Sequence, residues 1–215
     1  MSDIGNKNTD DLIGQLCDGL EPTKPRNPYS SILLWLALSI LYIVGVILHS
    51  GIQVDLSEKF YSANFLFEMG MAAAILIASA LASSWLWFPD SLQRGWIKVI
   101  PVTLFGVFLF WILASGIQEG GNLVKHFFLP SCSRGLMVEA LPFVALVIMT
   151  MRGNTTQPYW AMTMNVMAVS ALGWIGLRLT CAMYDSMVYG FVHYLLPFSI
   201  LGVAFGFFAR KIFKW

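Results

Sequence analysis

The sequence predicts an all-α protein: a polytopic membrane helix bundle of six transmembrane helices with a short cytoplasmic amphipathic N-terminal helix. Three observations carry this expectation. Of 215 residues, 57% are hydrophobic and only 12% are charged, and the mean hydropathy is +0.69, outside the usual range of water-soluble domains. Six apolar stretches approach the roughly 20 residues that a helix needs to cross about 30 Å of hydrocarbon, at about 1.5 Å per residue. Ahead of them stands a polar segment with an apolar stripe too weak to insert.

The first element is that segment, a tail over residues 1–30. On a helix, Leu12, Ile13, Leu16, Cys17 and Leu20 share one face, while Asp11, Gln15 and Asp18 point the other way. Thr9 or Asp10 can cap a helix over 9–20, acids in the first turn suit its dipole, and Pro22 stops it. About 12 residues are marginal for an isolated helix, and Gly14 and Gly19 each weaken it by about 1 kcal/mol. It should therefore order only against a partner groove. An amphipathic helix lying on the membrane is the alternative, but such helices usually carry Lys or Arg where this one carries Asp. The prolines between Glu21 and Pro28 form a semi-rigid spacer. No cleavable signal is expected at the start, which is polar and lacks an apolar core.

Residues 31–215 form the membrane domain. The expected spans are Ile32 to Gly51, Phe65 to Phe88, Trp96 to Ile117, Gly135 to Met151, Tyr159 to Cys181 and Phe191 to Phe213. The stretches DLSEKFYSAN, PDSLQRG, QEGGNLVKHFFLPSCSR, RGNTTQP and AMYDSMVYG separate them. Gly202 and Gly206 have the GxxxG spacing that suits close helix contact. Trp35, Trp85, Trp87, Trp96, Trp160 and Trp215 fall toward span ends, as interfacial anchors do.

Orientation follows from basic residues. Lys7, Lys24, Arg26, Arg94, Lys98, Arg152, Arg210, Lys211 and Lys214 flank one side; Lys59, Lys125 and Arg134 flank the other. The positive-inside rule then puts both termini in the cytoplasm. A net charge of +1 provides no field for direct nucleic-acid binding.

That topology divides the cysteines. Cys132 and Cys181 face outward and Cys17 lies in the tail. A Cys132–Cys181 disulfide is chemically permitted in a bacterial periplasm and, closing a loop of about 50 residues, contributes at most about 4 kcal/mol. Two thiols packed separately at a boundary are the alternative. His49, His126 and His193 also fall on the outer side, so reduced thiols leave a soft-metal site of Cys132, Cys181 and His193 as a further reading, although the spacing matches no established metal motif.

Intramembrane charges are costly and are read as paired or functional. Glu68, Glu139 and Arg178 all fall in one shallow outer layer, and Arg178 is expected to pair with Glu139 or with Glu68. Their shallow position favours structure or sensing over transport, which places such groups near the midplane. There is no nucleotide loop, no HExxH, no nucleophile elbow and no midplane carboxylate pair, so nothing supports an enzyme. No cofactor is implied, apart from a metal ion acting as a stimulus.

Several stretches resemble the NrsF-like membrane anti-sigma factors, the negative regulators of sigma F. They are TDDLIGQLCDGLEP with its following basic and proline residues, FLFEMGMA, LPSCSRGLMVEALPF, TCAMYDSMVYGFVHYLLP and the terminal GFFARKIFKW. The resemblance implies an inner-membrane protein that holds an extracytoplasmic-function sigma factor and releases it on a stress signal from outside. By position, Leu12, Ile13, Leu16 and Leu20, with Asp11 beside them, would bind the sigma factor, and Cys132 and Cys181 would match the family's paired outer cysteines. Cys17 is an additional thiol, and the stretch after Cys181 lacks the proline of related chains. The competing reading is a small metal or solute transporter or channel, for which the tail would be a mere leader; a membrane thiol oxidoreductase would need a Cys-x-x-Cys, which is missing.

Overall fold

The computed structural model describes residues 27–87, 95–118, 134–152, 155–181 and 186–212. Among these residues there are helices and no strands: α1 (Pro28–Ser50), α2 (Leu56–Lys59), α3 (Ala63–Leu86), α4 (Trp96–Gln118), α5 (Arg134–Met151), α6 (Pro158–Thr180), α7 (Met187–Gly190), a π turn (Phe191–Leu195) and α8 (Leu196–Ile212). Five stretches are long and apolar enough to cross a membrane: α1, α3, α4, α6 and the continuous run Met187–Ala209. The expected fourth span is different. It forms α5, of 18 residues, whose apolar stretch over Val138–Met151 is shorter than the other five.

The helix starts reflect local chemistry. Asn27 caps α1, its side chain accepting from the Tyr29 N–H at 3.0 Å, with Pro28 in the first turn where its missing N–H costs nothing. Gly51 ends α1 at φ 83°, a conformation open to glycine, and its N–H bonds Ile47 O at 2.9 Å. The last span begins earlier than the sequence suggests, at Met187 instead of Phe191. Ser186 caps it by accepting from the Tyr189 N–H at 3.4 Å, and Gly190, expected in a turn, lies inside the helix under the Trp174 ring. Further on, Pro197 has no N–H and its ring crowds the carbonyl four residues back. Just before it the helix widens into the π turn, with the Leu196 N–H on Phe191 O.

Helix α6 is the hub. It packs against α3, α8 and α5 and also touches α1 and α4, and nearly every residue from Ala161 to Arg178 is buried. Small residues make this close approach feasible: Ala72, Ser79, Ala80 and Ser83 on α3 and Ala161, Ala168 and Ala171 on α6 are all buried. Gly202 and Gly206 turn α8 toward α6, where a Cβ on Gly206 would lie 2.8 Å from Tyr159 Cε2. The outer faces are apolar. Leu33, Leu38, Leu41 and Leu48 on α1, Phe110 and Ile117 on α4, and Phe207 and Phe208 on α8 are exposed, as suits helices solvated by lipid.

Two tryptophans expected at the membrane interface are core residues. Trp35 donates to Pro142 O at 3.0 Å and Trp87 to Thr150 Oγ1 at 3.0 Å, since a buried indole N–H requires an acceptor. Trp96 is exposed, as an anchor would be.

The order of contacts fixes direction. Lys98, at the start of α4, donates to Gln157 Oε1 at 2.7 Å and lies 5.3 Å from the Trp160 ring, at the start of α6. Gly116, at the other end of α4, meets Val188, beyond the far end of α6. Helices α4 and α6 therefore run the same way, and the chain between them returns through the bundle. Helix α5 lies in that interval antiparallel to α6, with Val138 against Gly176 and Thr150 against Asn165.

Candidate functional site

Three polar clusters interrupt the apolar interior. The first sits where α3 and α6 meet near Thr180. Arg178 Nε donates to Glu68 Oε1 at 2.6 Å, Arg178 Nη2 donates to Glu68 Oε2, and Trp174 Nε1 adds a third bond to Glu68 Oε1 at 2.7 Å. Residues 174 and 178 are one turn apart on α6 and so face the same carboxylate. Phe65 covers the guanidinium, its ring centroid 5.6 Å from Cζ. Glu68 is 0% and Arg178 5% exposed, so both charges depend on each other and on these bonds. Trp174 also anchors an aromatic group, with Phe108 at 5.8 Å and Tyr194 at 6.0 Å between centroids.

Arg178 thus pairs with Glu68 and not with Glu139. Glu139 lies deeper than expected: its side chain rests over Gly173 beside the Tyr194 hydroxyl, about two turns below the end of α6. The hydroxyl donates to Ser170 O at 2.8 Å and is the polar neighbour of the buried Glu139 carboxyl.

The third cluster, near the Pro158 end, is absent from the sequence reading. Ser83 Oγ donates to Asn165 Oδ1, Asn165 Nδ2 donates to Thr150 Oγ1 at 2.8 Å, and Thr150 receives Trp87 and itself donates to Leu146 O at 2.8 Å. It ties α3, α5 and α6 together. A lone amide inside an apolar span was the signal that could have revealed it.

Cys181 is buried as the cap residue of α6, its N–H on Leu177 O at 2.8 Å, one turn from Arg178. His193 lies in the π turn with its ring 4.4 Å from that of Tyr189. Among the described residues no three His, Cys, Asp or Glu side chains gather to hold a metal ion. Cys132, the other expected sulfur, and the tail residues Asp11, Leu12, Ile13, Leu16 and Leu20 lie outside the described residues.

Two of the three clusters, Glu68 with Arg178 and Trp174 and the Asn165 group, are hydrogen-bonded to the hub helix, which touches every long helix. The model of one family, NrsF, described as negative regulator of sigma F, matches residues 16–215. The chain belongs to the NrsF family. The family is regulatory and acts on a sigma factor, and this NrsF member is a multi-pass membrane protein. The match begins at Leu16, so Leu16, Leu20, Cys132, Cys181 and all three polar clusters fall within it, whereas Asp11, Leu12 and Ile13 precede it. No curated protein and no solved structure matches the chain.

Proposed function

We propose that this NrsF-family protein is a membrane-bound anti-sigma factor of the bacterial inner membrane. Its cytoplasmic helix, residues 9–20, sequesters an extracytoplasmic-function sigma factor and releases it on a periplasmic redox or metal signal sensed near Cys132 and Cys181. The observation that carries this reading is the family match over residues 16–215, borne on a bundle with lipid-facing apolar surfaces.

Six crossings, with both termini in the cytoplasm, are supported by the return path. That α4 and α6 start together at Lys98 and Gln157 favours a return of the chain between them across the bilayer, with α5 the helix in that interval. The basic residues Lys98, Arg152 and Lys211 stand at ends of helices on that side, and Lys59 stands at the other. Cys181 caps the hub helix on the far side, one turn from the Arg178–Glu68 pair, so a change at its sulfur acts on the helix that contacts all the others. Binding energy comes from the leucine stripe of the tail, at about 1.5–3 kcal/mol per fully buried large side chain, offset by the entropy of ordering it.

A transporter would need a wetted path. A cavity of about 300 Å³ between α4, α6 and α8 is lined chiefly by apolar side chains such as Val102, Phe105, Met167 and Val203, and the Asn165 cluster is closed upon itself.

The test is co-purification from membranes of the full chain, a chain lacking residues 1–28, and Leu16→Asp. The reading expects a sigma factor with the full chain and a loss of at least about tenfold in both variants, with all three inserted equally. Undiminished capture by Leu16→Asp would overturn the role of the tail.

A further inference from the structure

The cavity of about 300 Å³ is a groove, with α6 as its floor and α4 and α8, which both pack on α6, as its walls. Val166, Met167 and Ser170 on the floor are buried, whereas Val102 and Val203 on the walls are 43% and 50% exposed, so the groove opens to the lipid side. Its serine and threonine hydroxyls are already bonded. Thr163, Ser170 and Ser199 donate to carbonyls of their own helices, Tyr159 O, Met167 O and Leu195 O, which leaves mainly aliphatic and ring surface to meet an occupant. The floor runs from Tyr159 to Ser170, about 16 Å along the helix, half of a hydrocarbon core of about 30 Å and so the depth of one leaflet.

One end of the groove is charged. Lys98, one turn before Val102 on the same face of α4, lies 5.3 Å from the ring of the groove residue Trp160 and gives one N–H to Gln157 Oε1 at 2.7 Å. An ammonium has three N–H groups. Among the described residues no Asp or Glu stands at this end of the long helices, and both α4 and α6 begin here, adding the partial positive charge of their N-termini.

We infer that the groove binds an anionic phospholipid of the leaflet at the Lys98 end, with one acyl chain lying along α6 between α4 and α8 and the phosphate held by Lys98. The chemistry selects this occupant. A polar solute finds no free serine or threonine hydroxyl to bond, and a neutral hydrocarbon leaves the ammonium without a counter-charge. A zwitterionic lipid brings a cation of its own to the phosphate. An anionic lipid supplies both the chain and the unshared charge, in the order and at the depth in which the groove presents its apolar floor and its lysine.

The inference concerns lipid binding alone and does not rest on sigma-factor capture. The full chain in phosphatidylcholine nanodiscs is photolabelled with a trace of phosphatidylglycerol carrying a diazirine in one acyl chain, and in parallel with phosphatidylcholine carrying the same chain. The expected result is labelling of the groove-lining segments of α4, α6 and α8, at least about fivefold stronger with phosphatidylglycerol. Lys98→Gln should lower labelling by phosphatidylglycerol to the phosphatidylcholine level, while Lys98→Arg, which keeps the charge, should keep the preference. Val102→Trp, which fills the groove from its exposed rim, should lower labelling by both lipids. Equal labelling by the two lipids on the unmodified chain would overturn the proposal, as would a preference that survives in Lys98→Gln. A groove shielded from both lipids, with copies of a Val203→Cys chain cross-linking to each other, would assign it to a second chain and overturn the lipid.

Discussion

Arg178 and Glu68, 110 positions apart in sequence, meet in the interior through a guanidinium that bonds both carboxyl oxygens, one of them from Nε at 2.6 Å. Removing either partner leaves the other charge buried and uncompensated. Arg178→Ala should therefore destabilise the bundle by about 3–5 kcal/mol, whereas the double change Glu68→Leu with Arg178→Met should recover most of the loss. Thermal unfolding of the purified protein in detergent measures both; equal stability of Arg178→Ala and the unmodified chain would refute the structural weight given to the pair.

Glycines differ in what an added methyl would meet. At Gly190 the new Cβ would stand 2.5 Å from Trp174 Cη2, a rigid ring atom, while at Gly106 nothing lies within 4 Å. Gly190→Ala should cost about 1–3 kcal/mol through overpacking, and Gly106→Ala should be neutral or stabilising by up to about 1 kcal/mol through helix propensity. The opposite signs, read as shifts of Tm in one detergent, are the check.

Asn165 bonds Ser83 and Thr150, and so joins α3 and α5 to the hub. Asn165→Leu should weaken the bundle by about 1–2 kcal/mol, the range for hydrogen bonds between membrane helices. Thr150 keeps Trp87 and the Leu146 carbonyl, so the loss falls mainly on the contact with Ser83. A double-mutant cycle with Ser83→Ala, showing coupling, tests that assignment.

Under the proposed sensing role, Cys181 and Cys132 are bridged in an oxidising compartment. Maleimide should label neither in untreated, denatured samples and both after reductant, while Cys17 labels throughout once the membranes are permeable. Labelling of both outer cysteines without reductant would remove the bridge.

Five of the six expected spans were legible because lipid imposes a single strong rule, a run of about 20 apolar residues, and α4 starts at Trp96 as expected. The last span was misplaced by four residues because Gly190 looks like a turn residue, and only its neighbour Trp174 shows why a glycine is needed there. The three intramembrane charges were identifiable by type, but not their pairing. At about 100° per residue, Gly173 and Gly176 point well away from Trp174 and Arg178. Their lack of side chains admits α5, with Val138 and Glu139, on one side, while α3 brings Glu68 to the other. Which face of a buried helix receives which neighbour is a property of the assembled bundle, and hydropathy does not encode it. The Asn165 cluster was missed for the same reason: single Ser, Thr and Asn residues acquire meaning only when they touch.

Helix α6 carries the arginine, and α3, made much earlier, carries its glutamate. On a ribosome feeding an insertion machine, this means that the acid enters the bilayer first and waits for 110 residues of synthesis. A carboxyl can wait in lipid as the neutral acid, whereas a guanidinium cannot shed its charge. The chain order is thus the less costly of the two for biogenesis: when the permanently charged group emerges, its counter-ion is already in place to receive it.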